Sequence, residues 1–360
     1  MTDTLLEPVS FAHGPAMKNR FMLAPLTNCQ SNADGTLTDE EYHWLVKRAE
    51  GGFGLTMTCA AHVQQNGQAF PGQLGIWDDR HLAGLERLAS GIRKAGSLSS
   101  VQLHHGGLRA DPEIVADRYC PWNDEASGAR AMSTGEVEQF IEDTIVAGVR
   151  AEKAGFDGIE VHGAHHYLYC QFVDIHNNKR EDKFGGSYEN RTRVIKSVLG
   201  GLRERTGPDF QIGIRLSPER HGMILKEARQ LCQEIMVSGD VDYVDMSLWK
   251  AFKDPVEEDF RERPLIKWFT DLERGNARLG CAGNIYSAAE ARECVDAGMD
   301  FVLLGRGAIL HHDFPEKVRA DADFKMIERP VTAEYLMKEG LSPKFVEYMR
   351  NWPGFVAEPA

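Results

Sequence analysis

The chain has 360 residues, 42% hydrophobic and 26% charged, an ordinary balance for a globular protein and a length that (β/α)8 barrels reach with insertions. Its 54 acidic residues outnumber 41 basic ones, leaving a formal charge of −13, and such a surface repels polyphosphates, so no nucleic-acid partner is expected. Seven scattered cysteines without a C-x-x-C pair speak against a disulfide scaffold, a zinc ribbon and an iron–sulfur cluster.

The first residues, Met1–Pro8, lack a basic segment followed by a long apolar run, and no stretch approaches the roughly 20 apolar residues that span a bilayer. A reduced, cytoplasmic protein with no membrane contact is the expectation. From there, short apolar runs rich in β-branched residues alternate with segments of helical periodicity. Strands are predicted at Phe21–Ala24, Leu55–Thr58, Ser99–Leu103, Gly158–Val161, Gln211–Arg215, Tyr243–Ser247, Leu279–Ala282 and Phe301–Leu304. Helices are predicted at Asp39–Glu50, His81–Ala95, Thr134–Ala154, Asn190–Thr206, Leu225–Ser238 and Ser287–Ala297. Thr38, Asp79, Ser133 and Ser287 are placed to cap helix starts, and Gly51, Gly96, Gly155, Gly239 and Gly298 to end them.

Eight strands with crossovers close most naturally into a (β/α)8 TIM barrel, here a single domain over residues 1–360 with an N-terminal cap and extended βα loops. The rival, an open doubly wound sheet, would carry G-x-G-x-x-G at its first turn, and neither Gly51-Gly52-Phe53-Gly54 nor Gly305-Arg306-Gly307 fits. The long irregular stretches Pro112–Ser133 and Phe172–Tyr188 follow barrel strands and are expected to act as lids.

Barrel active sites lie at the C-terminal strand ends. Those ends read Ala24-Pro25-Leu26-Thr27, Thr58-Cys59-Ala60, Gln102-Leu103-His104-His105-Gly106-Gly107, Arg215-Leu216-Ser217, Ala282-Gly283-Asn284 and Leu304-Gly305-Arg306, with His162-Gly163-Ala164-His165-His166-Tyr167 after the fourth strand. Amides, guanidinium groups and imidazoles dominate, which suits a polar, anionic cofactor. Gly283, Gly305 and Arg306 follow strands seven and eight, where barrels often bind phosphate, although both glycines could simply form tight turns. Gln102 matches an imide edge. Arg215 would stabilise negative charge on a reduced ring, or be salt-bridged for structure. His162 and His165 with Tyr167 can hold a carbonyl oxygen and deliver a proton beside it. The same two histidines have the H-x-x-H spacing of metal ligands, with His166 or His176 as a third. A metal barrel would be expected to show H-x-H on strand one, so no metal is expected.

Taken in order, these strand ends and the run from Asn178 to Arg191 resemble the Old Yellow Enzyme family of FMN-dependent ene-reductases, over a span from about Asn19 to beyond Arg306. The resemblance implies that Pro25, Leu26 and Thr27 lie beside the flavin edge and that Ala60 and Gln102 line its pyrimidine ring. It places Arg215 near N1 and O2, and Gly283, Asn284, Gly305 and Arg306 at the phosphate. It makes His162 and His165 the clamp on a substrate carbonyl and Tyr167 the proton donor. The implied reaction uses NADPH or NADH to reduce FMN, which then passes hydride to the β-carbon of an enone-type alkene. A reductase of another substrate class (dihydrouridine-synthase-like or acting on nitro compounds) and a non-catalytic flavin-binding protein are the alternatives. Cys29, two residues beyond Thr27, is expected to face substrate, and Cys59 departs from the acidic or hydroxylic residue of many relatives. The tail, about 325–360, resembles one that in a subgroup sends an arginine, here Arg350, into a neighbouring subunit's site. A homo-oligomer, a dimer, is therefore expected.

Overall fold

Eight strands pair in parallel around a closed ring in a computed structural model that describes residues 3–358. In chain order they are β1 (Phe21–Leu23), β2 (Leu55–His62), β3 (Leu98–His104), β4 (Gly158–Gly163), β5 (Gln211–Leu216), β6 (Tyr243–Ser247), β7 (Arg278–Ala282) and β8 (Phe301–Leu304). The order around the ring is β1-β8-β7-β6-β5-β4-β3-β2, so the expected (β/α)8 barrel is present. β2 and β4 outrun their predicted ends. His62 pairs with His104 and His162 with Arg215, because polar side chains at a strand end leave the backbone ladder intact. The β2–β3 register shifts between Met57 and Ala60, and this irregularity brings Ala60 opposite Gln102.

The surrounding helices are α1 (Asp39–Glu50), α2 (Leu82–Lys94), α3 (Thr134–Lys153), α4 (Leu168–Val173), α5 (Tyr188–Arg205), α6 (Leu225–Ser238), α7 (Lys267–Thr270), α8 (Ala288–Asp296), α9 (Arg306–Leu310), α10 (Phe314–Ala320), α11 (Ala333–Lys338) and α12 (Pro343–Met349). Thr38 and Ser287 accept from backbone N–H groups three residues on, and Ser133 forms a reciprocal capping box with Glu136. The cap expected from Asp79 comes instead from Asp78, which accepts from Arg80 N at the head of a tight turn preceding α2. None of the helices of the described residues is long and apolar enough to cross a membrane.

Large rings fill the barrel because glycines stand opposite them. A Cβ on Gly213 would lie 2.1 Å from the Tyr243 ring, and one on Gly280 would lie 2.0 Å from the Phe301 ring. The N-terminal segment closes the lower end, where Phe11 meets Tyr243 at 5.8 Å and Val9 pairs with Met17. The two long loops are pinned rather than loose. Tyr119–Cys120 and Arg130–Ala131 form a small ribbon, and Arg180 from the second loop donates to Pro121 O at 3.2 Å. The tail packs α12 on α1, with Phe345 edge-on to Trp44 at 4.8 Å.

Candidate active site

A cavity of about 470 Å³ opens at the C-terminal ends of the strands. Pro25, Leu26, Thr27, Ala60, Gln102, Arg215, Gly283, Asn284, Gly305 and Arg306 all line it, as do His162, His165 and Tyr167. Cys29 and Arg350 do not. Burial, then the nearby Glu41 carboxyl, pushes the Cys29 thiol up to about 11, and Arg350 pairs within its own helix end with Glu347 at 3.2 Å. Cys59 also faces away from the cavity, donating to the buried Glu41 carboxyl at 3.0 Å. The tail instead brings Tyr348, Met349 and Trp352 over the cavity of the same chain.

The turn after β4 explains how three of its residues reach one space. Strand alternation alone would send His162 and His165 to opposite faces. His165 and His166 both adopt left-handed backbone (φ 60° and 61°), which resets the direction of the chain. His165 and Tyr167 then face the cavity, while His166 turns away and stacks on His221 with ring centroids 5.6 Å apart. Ser217 Oγ holds the turn by accepting from His165 N at 3.0 Å.

Inside, His165 Nδ1 lies 3.3 Å from His162 Nε2, and His165 Nε2 lies 2.7 Å from Ser247 Oγ. Burial, reinforced by Arg215, holds His165 down to about 3. Burial and the His165 ring hold His162 well below the usual imidazole range. Both rings are therefore neutral near pH 7, each with one N–H donor and one acceptor. His162 Nδ1 is buried and has no protein partner. Tyr167 stands edge-on to His104 at 4.3 Å, with its ring centroid 5.3 Å from that of His162. The Arg109 guanidinium covers the Tyr167 ring at 4.8 Å and donates to His165 O at 2.6 Å.

The cavity also suits an anionic group. Arg109, Arg215 and Arg306 line it and, among the described residues, no Asp or Glu does, although the chain carries a formal charge of −13. Arg306 Nη1 donates to the Tyr286 hydroxyl at 3.0 Å, which in turn donates to Asn284 Oδ1 at 2.9 Å. A Cβ on Gly305 would meet only Leu26 Cδ2, at 3.4 Å, so open space remains where the first N–H groups of α9 lack helical partners. Gly283 has a different reason: a Cβ there would sit 2.7 Å from Ala251 N. These donors fit the phosphate of FMN, and Gln102 and Arg215 fit its ring.

Of the two expectations for Arg215 the salt bridge is present, its Nε lying 3.0 Å from Asp245 Oδ2, and the residue also lines the cavity. The strand-end reading did not find Glu160, Asp245, Ser247 or Trp249. Glu160 sits mid-strand, two residues before His162, and its period-two spacing could have revealed it. Asp245, Ser247 and Trp249 belong to the sixth strand and the turn after it, a strand end left unread.

Comparison with known proteins identifies the family. Residues 4–323 match the NADH:flavin oxidoreductase / NADH oxidase family. The chain is 31% identical to a Bacillus subtilis (strain 168) protein named "Probable NADH-dependent flavin oxidoreductase YqiG", over 98% of this chain and 97% of the relative. It is 30% identical to the NADH:fumarate oxidoreductase of Klebsiella pneumoniae (strain 342), over 90% of this chain but only 37% of that longer protein. A solved structure of morphinone reductase in complex with tetrahydroNAD superposes with a TM-score of 0.76 at 26% identity, covering 92% of this chain and 93% of that one.

Proposed function

Because the chain belongs to the NADH:flavin oxidoreductase / NADH oxidase family, and is an NADH- or NADPH-dependent flavin enzyme that uses FMN, we propose that it reduces the carbon–carbon double bond of α,β-unsaturated carbonyl compounds. Arg306, Asn284 and the backbone at Gly283 and Gly305 would hold the phosphate. Gln102, Ala60, Arg215 and the Pro25-Leu26-Thr27 segment would hold the ring. Bound there, FMN supplies hydride exchange with the nicotinamide and then with the alkene.

The remaining work falls to the chain's own side chains. Hydride addition to the β-carbon builds negative charge on the carbonyl oxygen. A neutral imidazole N–H from His162 or His165 can meet that oxygen, and one well-placed donor of this kind contributes about 2.7–4 kcal/mol. Tyr167 delivers the proton to the α-carbon, while Arg109 over its ring and His104 at its edge hold the phenol in place. Phe70, Trp249, Tyr348 and Trp352 provide flat apolar walls for a planar substrate and exclude water.

The observation that carries this reading is the convergence of two neutral imidazoles and a phenol in a cavity that three arginines and, among the described residues, no carboxylate line. Purified protein should be yellow, bleach anaerobically with NADPH or NADH, and regain its colour when 2-cyclohexenone is added, with cyclohexanone as product. A reduced enzyme that reoxidises with oxygen but not with any enone would overturn the alkene assignment.

A further inference from the structure

Two carboxylates lie in the dry interior of the barrel, one layer beneath the cavity. Glu160 and Asp245 are fully buried, and neither lines the cavity. Each is attached to a residue that does. Gln102 Nε2 donates to Glu160 Oε1 at 2.8 Å, and Arg215 Nε lies 3.0 Å from Asp245 Oδ2. Glu160 Oε2 and both Asp245 oxygens accept no hydrogen bond from the protein. The groups around them come from four strands: Ser100 and Gln102 on β3, Arg215 on β5, Tyr243 on β6 and the Cys281 thiol on β7. Burial drives the Tyr243 phenol and, after its contact with Cys294, the Cys281 thiol away from ionisation, so neither alters the charge balance. Among the described residues Arg215 is the one cation facing the pair.

Two carboxylates against one guanidinium cannot both remain ionised where water is excluded. Burial raises both groups, the Asp245 charge raises Glu160 further, and Arg215 draws both back. The electroneutral arrangement is one proton on the pair and one salt bridge to Arg215. That ion pair has a consequence for the site above it, because a guanidinium whose charge is balanced by Asp245 does less to neutralise new charge in the cavity.

We propose that Glu160 and Asp245 share one proton in the oxidised enzyme and take up a second on reduction, releasing Arg215 from Asp245 to the flavin ring. This rests on the reading that Gln102 and Arg215 border that ring. Hydride transfer breaks a C–H bond of the reduced nicotinamide, which leaves oxidised by two electrons, and adds one negative charge to the site. One solvent proton enters the carboxyl pair and balances that charge. It returns to solvent when the alkene takes the hydride, and Tyr167, having given its proton to carbon, is reprotonated from solvent. Glu160 and Asp245 are thus positioning residues that act through Gln102 and Arg215.

The test uses the FMN-loaded enzyme and two measurements. Reduced-minus-oxidised infrared spectra should gain the carbonyl stretch of one protonated carboxyl group. The midpoint potential should follow two protons per two electrons near neutral pH, about 59 mV per pH unit, since each proton contributes about 29.6 mV per tenfold change. In the double variant E160Q/D245N the band should vanish and the slope fall to one proton. If that variant does not fold, the wild-type spectrum decides alone. No carboxyl band, or a two-proton slope without one, would place the proton elsewhere and overturn the proposal. The flavin reading is tested separately by Arg306→Gln. A tenfold or greater loss of FMN affinity supports it, and unchanged affinity overturns it whatever the infrared result.

Discussion

The two ends of the barrel are both polar, yet they treat their charged groups differently. At the lower end Asp242 is fully used: it accepts from the His13 ring and backbone at 2.9 Å, from Ile212 N at 2.8 Å and from Arg203 at 2.7 Å. Asp300 is likewise shared between Arg274 and Leu279 N, both at 2.9 Å. At the upper end His162 Nδ1, His104 Nε2 and Glu160 Oε2 are just as buried and have no protein partner. A buried polar atom without a partner costs about 1–3 kcal/mol, so such atoms accumulate where a ligand supplies what the chain does not. Among charged groups the contrast is clear: the carboxylates of the floor are fully partnered, whereas imidazole and carboxyl atoms at and just beneath the site are not, although the neutral Tyr243 hydroxyl and Gln211 Oε1 near the floor also lack partners.

Four experiments press on that contrast. The largest effect is expected from Tyr167→Phe, which keeps the ring but removes the proton. Alkene reduction should slow by about 10²–10⁴-fold while flavin reduction by NAD(P)H changes less than twofold. Stopped-flow measurement of the two half-reactions separates them, and equal slowing of both would remove Tyr167 from the acid role. At the other end, Asp242→Ala strands the buried end of Arg203 and should cost about 3 kcal/mol in urea unfolding. Turnover per bound FMN should stay within twofold, and a catalytic loss without a stability loss would break the division between the two ends.

The third prediction concerns acid. Burial holds His62 down to about 4 and His105 and His165 to about 3, against an ordinary 6.5. Below pH 6.5 the unfolded chain binds protons that these folded rings refuse. Stability should therefore fall as pH drops from about 6.5 towards about 3, measured as a declining urea midpoint. A midpoint that is flat across that window would show that the rings are hydrated and ionisable in the folded state. The smallest effect is expected at Trp249, which is 76% exposed at the cavity mouth with φ 63°. Trp249→Gly relieves left-handed strain and should stabilise the protein by about 0.5 kcal/mol, gained strain offset by glycine's entropy. KM for aromatic enones should rise severalfold with kcat within twofold, and an unchanged KM would mean that Trp249 does not contact substrate.

Much of this was legible in the chain. Tyr243–Ser247, Phe301–Leu304, Asp39–Glu50 and Leu225–Ser238 fall where apolar periodicity and caps predict them, because local burial and capping set those elements. The cavity lining follows from reading strand ends, since parallel strands in a barrel bring all their C-terminal ends to one face. What escaped depended on geometry across the barrel. Asp245 reads as one acid in an apolar run until β5 sets Arg215 beside it. Cys29 lies close to Thr27 in sequence, yet the turn at φ 55° leaves it outside the cavity. Within one chain Arg350 pairs with Glu347, three residues earlier, so a role in a neighbouring subunit's site depends on assembly and not on local spacing.

By itself, then, the sequence determined the repeating βα units, the donor types at the strand ends and the acidic surface, all of which follow from side-chain chemistry and short-range spacing. The tertiary structure alone decided that His165 and Tyr167 share a face with His162, that burial holds those two imidazoles below their usual range, and that two carboxylates compete for one arginine. Those properties arise from left-handed turns, from burial and from closure of the ring, which bring residues far apart in the chain into one low-dielectric space.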